Sequence, residues 1–355
     1  MPIIVPQKKN SPDYVQAVEP SNPKQGDVWY DTENEIIKIY DGNVWLDTLC
    51  GTDIPYGYVC GGQPVVSTIN RVTFPFDFGT VNHVGNLSGT RAHATGCNSF
   101  NCGYSMGGWN GLGFYSIIDK ITFPFDSGTA SHVGNLSGTR IWTAGCNSSN
   151  YGYCMSGYDG SNYFSIIDRI VFLFDSGTAS HVGNINASKY GTAGCNSSNY
   201  GYCMGGWLAG VGSFSTIDRI TFPFDSGTAS HVGNLSGSKN APAGCNSSIH
   251  GYCMGGGGGS NRFSIIDRIT FPFDSGTASH VGNLSETRKS TTGCNSSNYG
   301  YCIGGYNETG SVYFSTIDRF EFPFDSGTAS HVGNLSGTKR YAAGIDGTDF
   351  VTLFV

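Results

Sequence analysis

Nothing in the chain reads as a helix: no stretch carries an apolar period of three to four residues over a useful length. Charge is scarce as well. Only 13% of the 355 residues are Asp, Glu, Lys or Arg, and the formal net charge is −7. About −4 of it falls in residues 1–50, where four lysines face eight acidic residues. Such a surface gives phosphate backbones little to hold, so nucleic acid is not an expected partner. The start, Met-Pro-Ile-Ile-Val-Pro-Gln-Lys-Lys-Asn, has no basic region followed by a long apolar run, and no later run reaches membrane-spanning length. The expectation is synthesis in a cytoplasm without Sec-type export, and no membrane insertion.

What the chain does hold is glycine (53 residues) and aromatics (13%), the composition of short strands joined by tight turns. One stretch recurs, cleanest at residues 215–237: Ser-Thr-Ile-Asp-Arg-Ile-Thr-Phe-Pro-Phe-Asp-Ser-Gly-Thr-Ala-Ser-His-Val-Gly-Asn-Leu-Ser-Gly. Six versions run through residues 67–338, anchored at Asn70, Asp119, Asp168, Asp218, Asp267 and Asp318, which lie 49, 49, 50, 49 and 51 residues apart. A period near fifty denotes a repeat architecture in which each unit packs only on its neighbours.

Each period divides into four strand candidates: Ala-Gly-Cys (144–146), Tyr-Gly-Tyr-Cys-Met closed by a glycine pair (200–206), the Ile-Asp-Arg-Ile-Thr-Phe-Pro-Phe run, and His-Val-Gly-Asn-Leu. In the third, alternation puts Ile117, Asp119, Ile121, Phe123 and Phe125 on one face. Pro124 lacks an amide hydrogen, so the strand should meet a neighbour on one side only near that point.

The first-plus-second pair occurs seven times and the third-plus-fourth pair, in repeat form, six times. Residues 36–48 are the candidate for the missing pair, sharing a sheet with residues 342–355. That arrangement gives seven units closed by both chain ends and hides sheet edges; six units with one end pair outside is the alternative.

The twelve cysteines fall in couples: Cys50 and Cys60, Cys97 and Cys102, Cys146 and Cys154, Cys195 and Cys203, Cys245 and Cys253, Cys294 and Cys302. In the seventh unit both are lost, to Ile345 and Leu353. Coupled presence and absence predicts contact across the hairpin, as a disulfide or as two packed thiols. Two thiols per unit with no third ligand do not complete a tetrahedral metal site, and no metal or cofactor is expected.

Six of the eight histidines (His83, His132, His181, His231, His280, His331) stand six residues after an Asp, once per repeat, which reads as turn structure rather than catalysis. The Asp and Arg of Ile-Asp-Arg read as a strand ion pair, with Arg91, Arg140, Lys189, Lys239, Arg288 and Lys339 as further partners.

The repeats disagree in two places: after the glycine pair (Trp109, Asn110, Tyr158, Asp159, Trp207, Tyr306, Asn307) and between the fourth strand and the next first strand (Trp142, Tyr190, Tyr341). In an up-down-up-down unit both connections leave on the same side, so one face is individual and aromatic-rich while the other is monotonous. Exposed aromatics on a rigid scaffold suit recognition, and these ten residues are the candidate ligand-binding set.

Four strands, the fifty-residue period and the glycine pair resemble the Kelch family of β-propellers, including its Arg-x-x-x-Ala-Gly…Gly-Gly spacing at residues 140–157, where Ser156 replaces the first of the two closing glycines. The fold implied is an all-β propeller over residues 27–355, seven-bladed or alternatively six-bladed, behind an extended proline-rich arm (1–26). Copper-radical oxidases of the Kelch superfamily would need an asymmetric Tyr, His and Cys cluster at the ring centre; the sequence breaks its symmetry only at the isolated His93 and His250, so no catalytic residue is assigned and no enzyme is expected.

Residues 26–45, Gly-Asp-Val-Trp-Tyr-Asp-Thr…Ile-Tyr-Asp-Gly-Asn-Val-Trp, resemble segments near the start of tailed-phage fibre and tail proteins. That resemblance implies a virion protein at the tail or baseplate. Other virion proteins would hold the arm, and a host surface glycan or protein would meet the variable face. A purely structural virion component and an intracellular Kelch-type interaction scaffold are the alternatives.

Overall fold

The computed structural model describes residues 14–24, 27–31, 36–40, 42, 45–48, 56–307 and 312–347. The chain divides into two compact units, Met1–Asp53 with Phe350–Val355, and Ile54–Asp349.

In the first unit Tyr14–Gln16 runs parallel to Val28–Asp31, which continues antiparallel into Ile36–Tyr40 and Trp45–Thr48. Trp29 is buried, and its indole N–H donates to the Gln16 carbonyl at 2.9 Å, tying the first strand to the second. The Asp27 carboxylate closes the turn by accepting from the Lys24 amide (2.9 Å) and the Tyr14 hydroxyl (3.1 Å).

The second unit is a β-propeller of four-stranded antiparallel blades, and the described residues contain six. Blade 2 is typical: Thr95–Asn98 innermost, then Cys102–Trp109, Phe114–Thr122 and Ser131–Asn135. Blades 3 to 6 begin at the inner strands Ala144–Asn147, Ala193–Asn196, Ala243–Asn246 and Thr292–Asn295. Blade 1 takes its inner strand from the far end of the sequence: Ala343–Asp346 pairs antiparallel with Tyr56–Cys60, followed by Thr68–Thr73 and Asn82–Asn86. The expected seventh blade is not found among the described residues for this reason. Ile36–Tyr40 and Trp45–Thr48 pair within their own sheet, and Ala343–Asp346 already has Tyr56–Cys60 as its partner.

Small residues let the inner strands crowd together. A Cβ built on Gly145 would lie 2.0 Å from the Gly96 carbonyl oxygen, and Gly96, Gly194, Gly244, Gly293 and Gly344 each face the preceding inner strand's carbonyl at 1.9–2.1 Å. Further out, each second-strand tyrosine stacks on the Phe before the next blade's Phe-Pro-Phe proline or its equivalent: Tyr58 on Phe123 (5.4 Å between centroids), Tyr153 on Phe222 (5.2 Å), Tyr301 on Phe74 (4.9 Å). The Tyr58 hydroxyl also accepts the Phe125 amide at 2.9 Å. That amide lies beyond the strand, which ends at Thr122 in blade 2; near the proline the pairing is one-sided as expected, since Ile121 and Thr122 pair with the second strand alone and the Phe123 amide donates to the Asn101 carbonyl at 2.8 Å.

The cysteines do not form disulfides: all eleven in the described residues are free and buried, and Cys50 lies outside those residues. Register explains this. Cys146 sits opposite Tyr153 and Cys154 opposite Gly145, one step apart, so the two side chains leave opposite faces of the sheet. The Cys146 sulfur instead fills the space over Gly201 of the next blade, 2.6 Å from where a Cβ would be; Cys97, Cys195, Cys245 and Cys294 do the same over Gly152, Gly251, Gly300 and Gly57. Ile345 takes this role over Gly103. Cys60 and Cys102 do not hold the second-strand cysteine position of the other blades: Cys60 occupies the slot of Met155 and Cys102 that of Tyr151.

Alternation in the third strand is interrupted by a bulge between Ile118 and Asp119 that buries both. Asp119 then accepts from the Ser88 amide and hydroxyl (2.8 and 2.7 Å) and pairs with Arg91 at 2.8 Å, pinning the linker that enters the blade. Arg140–Asp168, Lys189–Asp218, Lys239–Asp267 and Arg288–Asp318 repeat this buried pair. The Asp and Arg of Ile-Asp-Arg are thus not partners of each other. The basic residue reaches the next blade, as in Arg71–Asp126, Lys120–Asp175 and Arg319–Asp77. These outer carboxylates are more than half exposed, so each such pair is worth under about 1 kcal/mol. Breaking a buried one costs about 3–5 kcal/mol.

Candidate functional site

The two variable connections meet on one side of the propeller, bridged antiparallel in every sector: Ala92 with Trp109, Ile141 with Tyr158, Tyr190 with Trp207, Asn240 with Gly257, Lys289 with Tyr306, and Arg340 with Gln63. One residue further along lies the rim of the central channel, formed by His93, Trp142, Gly191, Ala241, Ser290 and Tyr341. All six have φ between +50° and +66°, and five of them are not glycine.

A hydrogen-bond circuit holds them there. The Trp142 amide donates to the His93 carbonyl (3.0 Å), Gly191 to Trp142 (2.7 Å), Ala241 to Gly191 (2.7 Å), Ser290 to Ala241 (2.7 Å), Tyr341 to Ser290 (2.9 Å), and His93 to Tyr341 (2.7 Å). Left-handed backbone at a side-chain-bearing residue costs about 1–2 kcal/mol. Five such residues at one rim are strain concentrated where the loops are individual, a pattern that points to function.

The aromatic side chains make a wall on this rim. Trp142 stacks on Tyr190 (4.8 Å, 18°), Tyr190 on Tyr163 (5.6 Å, 11°), and Tyr163 on Tyr158 (4.9 Å, 21°), with Trp207 tilted against Tyr190 at 5.4 Å. Across from them Tyr341 lies 6.0 Å from both Trp142 and Tyr306. Between the walls the rim residues are small, Gly191 and Ala241, and a depression of about 240 Å³ opens there, edged by Asn240 and Lys289. Below it the channel narrows to about 120 Å³ among the threonines and glycines of the inner strands.

Three buried polar atoms at this mouth have no hydrogen-bond partner among the described residues: His93 Nδ1, Trp142 Nε1 and Ser290 Oγ. The His93 tautomer follows from its neighbours. Arg340 Nε donates to Gln63 Oε1 at 3.0 Å, which turns the Gln63 amide nitrogen toward His93 Nε2, 3.3 Å away. Nε2 is then the acceptor, and Nδ1 carries the proton. Burial, with the Arg340 charge adding to it, pulls the His93 pKa down to about 3, so the ring stays neutral and presents one N–H donor.

Of the ten residues singled out from the sequence, Trp142, Tyr158, Tyr190, Trp207, Tyr306 and Tyr341 come together here. Trp109 lies beside them against His93 (6.1 Å). Asn110 and Asp159 serve their own hairpin turns: Asn110 Oδ1 accepts the Leu112 and Gly113 amides, and Asp159 Oδ1 those of Ser161 and Asn162. The Asn307 amide nitrogen donates to the Thr287 hydroxyl at 3.0 Å, a contact with the neighbouring loop rather than with the mouth.

Sequence reasoning missed His93, Tyr163, Gln63 and Arg340 as site members. The usable signal was a column: Gly191 is the rim's one glycine, and it marks a position where the other five copies must be strained.

Five of the six repeated histidines bond the backbone of their own strand. His83 Nε2 bonds the Gly85 carbonyl at 2.9 Å, and His132, His181, His280 and His331 repeat this at 3.0 Å. No group of three or more His, Cys, Asp or Glu among the described residues could hold a metal. No protein-family model matches the chain, and no curated protein matches it.

Proposed function

We propose that the protein is a non-catalytic carbohydrate-recognition propeller of a phage virion, reading a host surface glycan with its variable-loop face. Its working body is a ring of six Kelch-like blades in which Ala343–Asp346 completes the blade begun by Tyr56–Cys60. The observation that carries the reading is the mouth itself: a depression on the scale of a sugar ring, smaller than the ~300–1,000 Å³ of drug-sized pockets, walled by Trp142, Tyr190, Trp207 and Tyr341. Flat aromatic faces suit the C–H faces of pyranose rings, while the Asn240 and Lys289 side chains at the edge offer polar groups to their hydroxyls.

The virion setting draws support from the resemblance of residues 26–45 to phage tail segments, and the first unit is the part that other virion proteins would hold. Binding of the purified protein to host cells tests the reading. Saturable binding that is lost after periodate oxidation of the cell surface supports a glycan receptor. Binding that survives periodate points to a protein receptor, and no binding to any host cell favours a purely structural component.

A further inference from the structure

Eleven basic side chains of the propeller end on a described carboxylate: Arg71, Arg91, Lys120, Arg140, Arg169, Lys189, Arg219, Lys239, Arg268, Arg288 and Arg319. Arg340 does not. Its guanidinium lies over the rings of Tyr306 and Tyr313, both at 4.7 Å, and within 5.6 Å of Tyr341. One nitrogen, Nε, is committed to Gln63 Oε1. The planar group is thus fixed by stacking and by one hydrogen bond, leaving the two terminal nitrogens as a fork. A guanidinium held this way matches a carboxylate in geometry and charge. It edges a second depression of about 430 Å³, lined by Gln63, Pro64, Val65, Trp109 and Tyr313.

We infer that this groove is a subsite for a carboxylate-bearing sugar, a hexuronate or a sialate, in which Arg340 takes the carboxylate end-on and Trp109 packs on the ring. The inference rests on the carbohydrate reading above and narrows it to acidic glycans. The Arg340–Gln63–His93 chain joins this groove to the axial mouth, because the arginine that binds the carboxylate also orients the amide that sets the His93 tautomer.

Titration calorimetry of the full chain with two matched pairs tests it: sialyllactose against lactose, and tetragalacturonate against its methyl ester. The expected result is that one acid binds at least about tenfold more tightly than its neutral partner, with affinity falling as salt rises. Arg340→Gln makes each acid bind no more tightly than its neutral partner, while Arg340→Lys keeps the charge but loses the fork and restores only part of the preference. Equal binding of acid and neutral partner, or an acid preference that survives Arg340→Gln, overturns the inference alone. Should Arg340→Gln fail to fold, the acid and ester comparison on the native chain still decides. Failure of all four sugars to bind overturns the subsite and counts against the carbohydrate reading as well.

Discussion

At the residue scale the propeller is most informative where one copy departs from the other five. Five buried basic residues meet a carboxylate, but the sixth, Lys339, meets the position held by Asn70. Lys339 Nζ instead donates to the Thr68 hydroxyl at 2.7 Å, and Asn70 Nδ2 donates to Ser336 at 3.1 Å. Burial pulls the Lys339 ammonium down to about 8 from its usual 10.5. The folded state therefore releases that proton more readily than the unfolded chain. Stability from this group falls as pH drops from about 10.5 to about 8, and below that the full penalty stands, on the order of 3 kcal/mol. Asn70→Asp should raise Tm by several degrees at pH 7, with the gain shrinking near pH 9.5, where Lys339 is already neutral; calorimetric melts at the two pH values check this, and an unchanged or lower Tm at pH 7 contradicts it.

The rim makes a second residue-scale prediction. Because Gly191 already occupies this position, Trp142→Gly relieves left-handed strain and should keep Tm within a degree or two of the native value, although the stacking on Tyr190 is lost. A drop of ten degrees in the melt would show that Trp142 is there for packing.

At the element scale, the close approach of the inner strands sets what a blade tolerates. Gly145→Ala would put a methyl 2.0 Å from the Gly96 carbonyl, and the obstacle is backbone, which has no rotamer to yield. A loss of at least about 3 kcal/mol is expected, large among point mutations. Gly138→Ala, with nothing within 4 Å, should be near neutral. Paired denaturant titrations separate the two.

Register also decides how much of each element was legible in the sequence. The fifty-residue period and the two-sided loop distribution needed only the repeat itself. The cysteine contacts did not show, because couples 146/154 and 195/203 look cross-strand until the one-step offset sends them to opposite faces. The Asp119 bulge is hidden for the same reason: strict alternation assigns Ile118 outward, while the bulge buries it. His93 and Arg340 were visible as residues but not as a site, since only the fold brings Gln63 from one end of the sequence to Arg340 at the other.

At the scale of the whole molecule, closing blade 1 with Ala343–Asp346 gives Tyr56–Cys60 a partner strand and removes an edge that would otherwise invite association. Truncation after residue 341 should therefore yield an aggregating chain without a cooperative melt; a monomer with native-like unfolding would show that the last strand is dispensable. The same closed packing keeps the thiols neutral. Burial pushes Cys60 and Cys253 up to about 12, so the unfolded chain ionises from about pH 9 while the folded one does not, and stability should fall as pH rises from about 9 toward 12. Below pH 9, reductant should leave Tm unchanged, and the eleven buried thiols should react with a thiol reagent only after denaturation.

Carbohydrate recognition at the aromatic mouth is the central proposal. A glycan array probed side by side with the native protein and Trp142→Gly tests it most directly. The account predicts a restricted set of bound glycans for the native protein, all lost in the equally stable variant. Native binding that Trp142→Gly retains, or an array with no bound glycan, would contradict it.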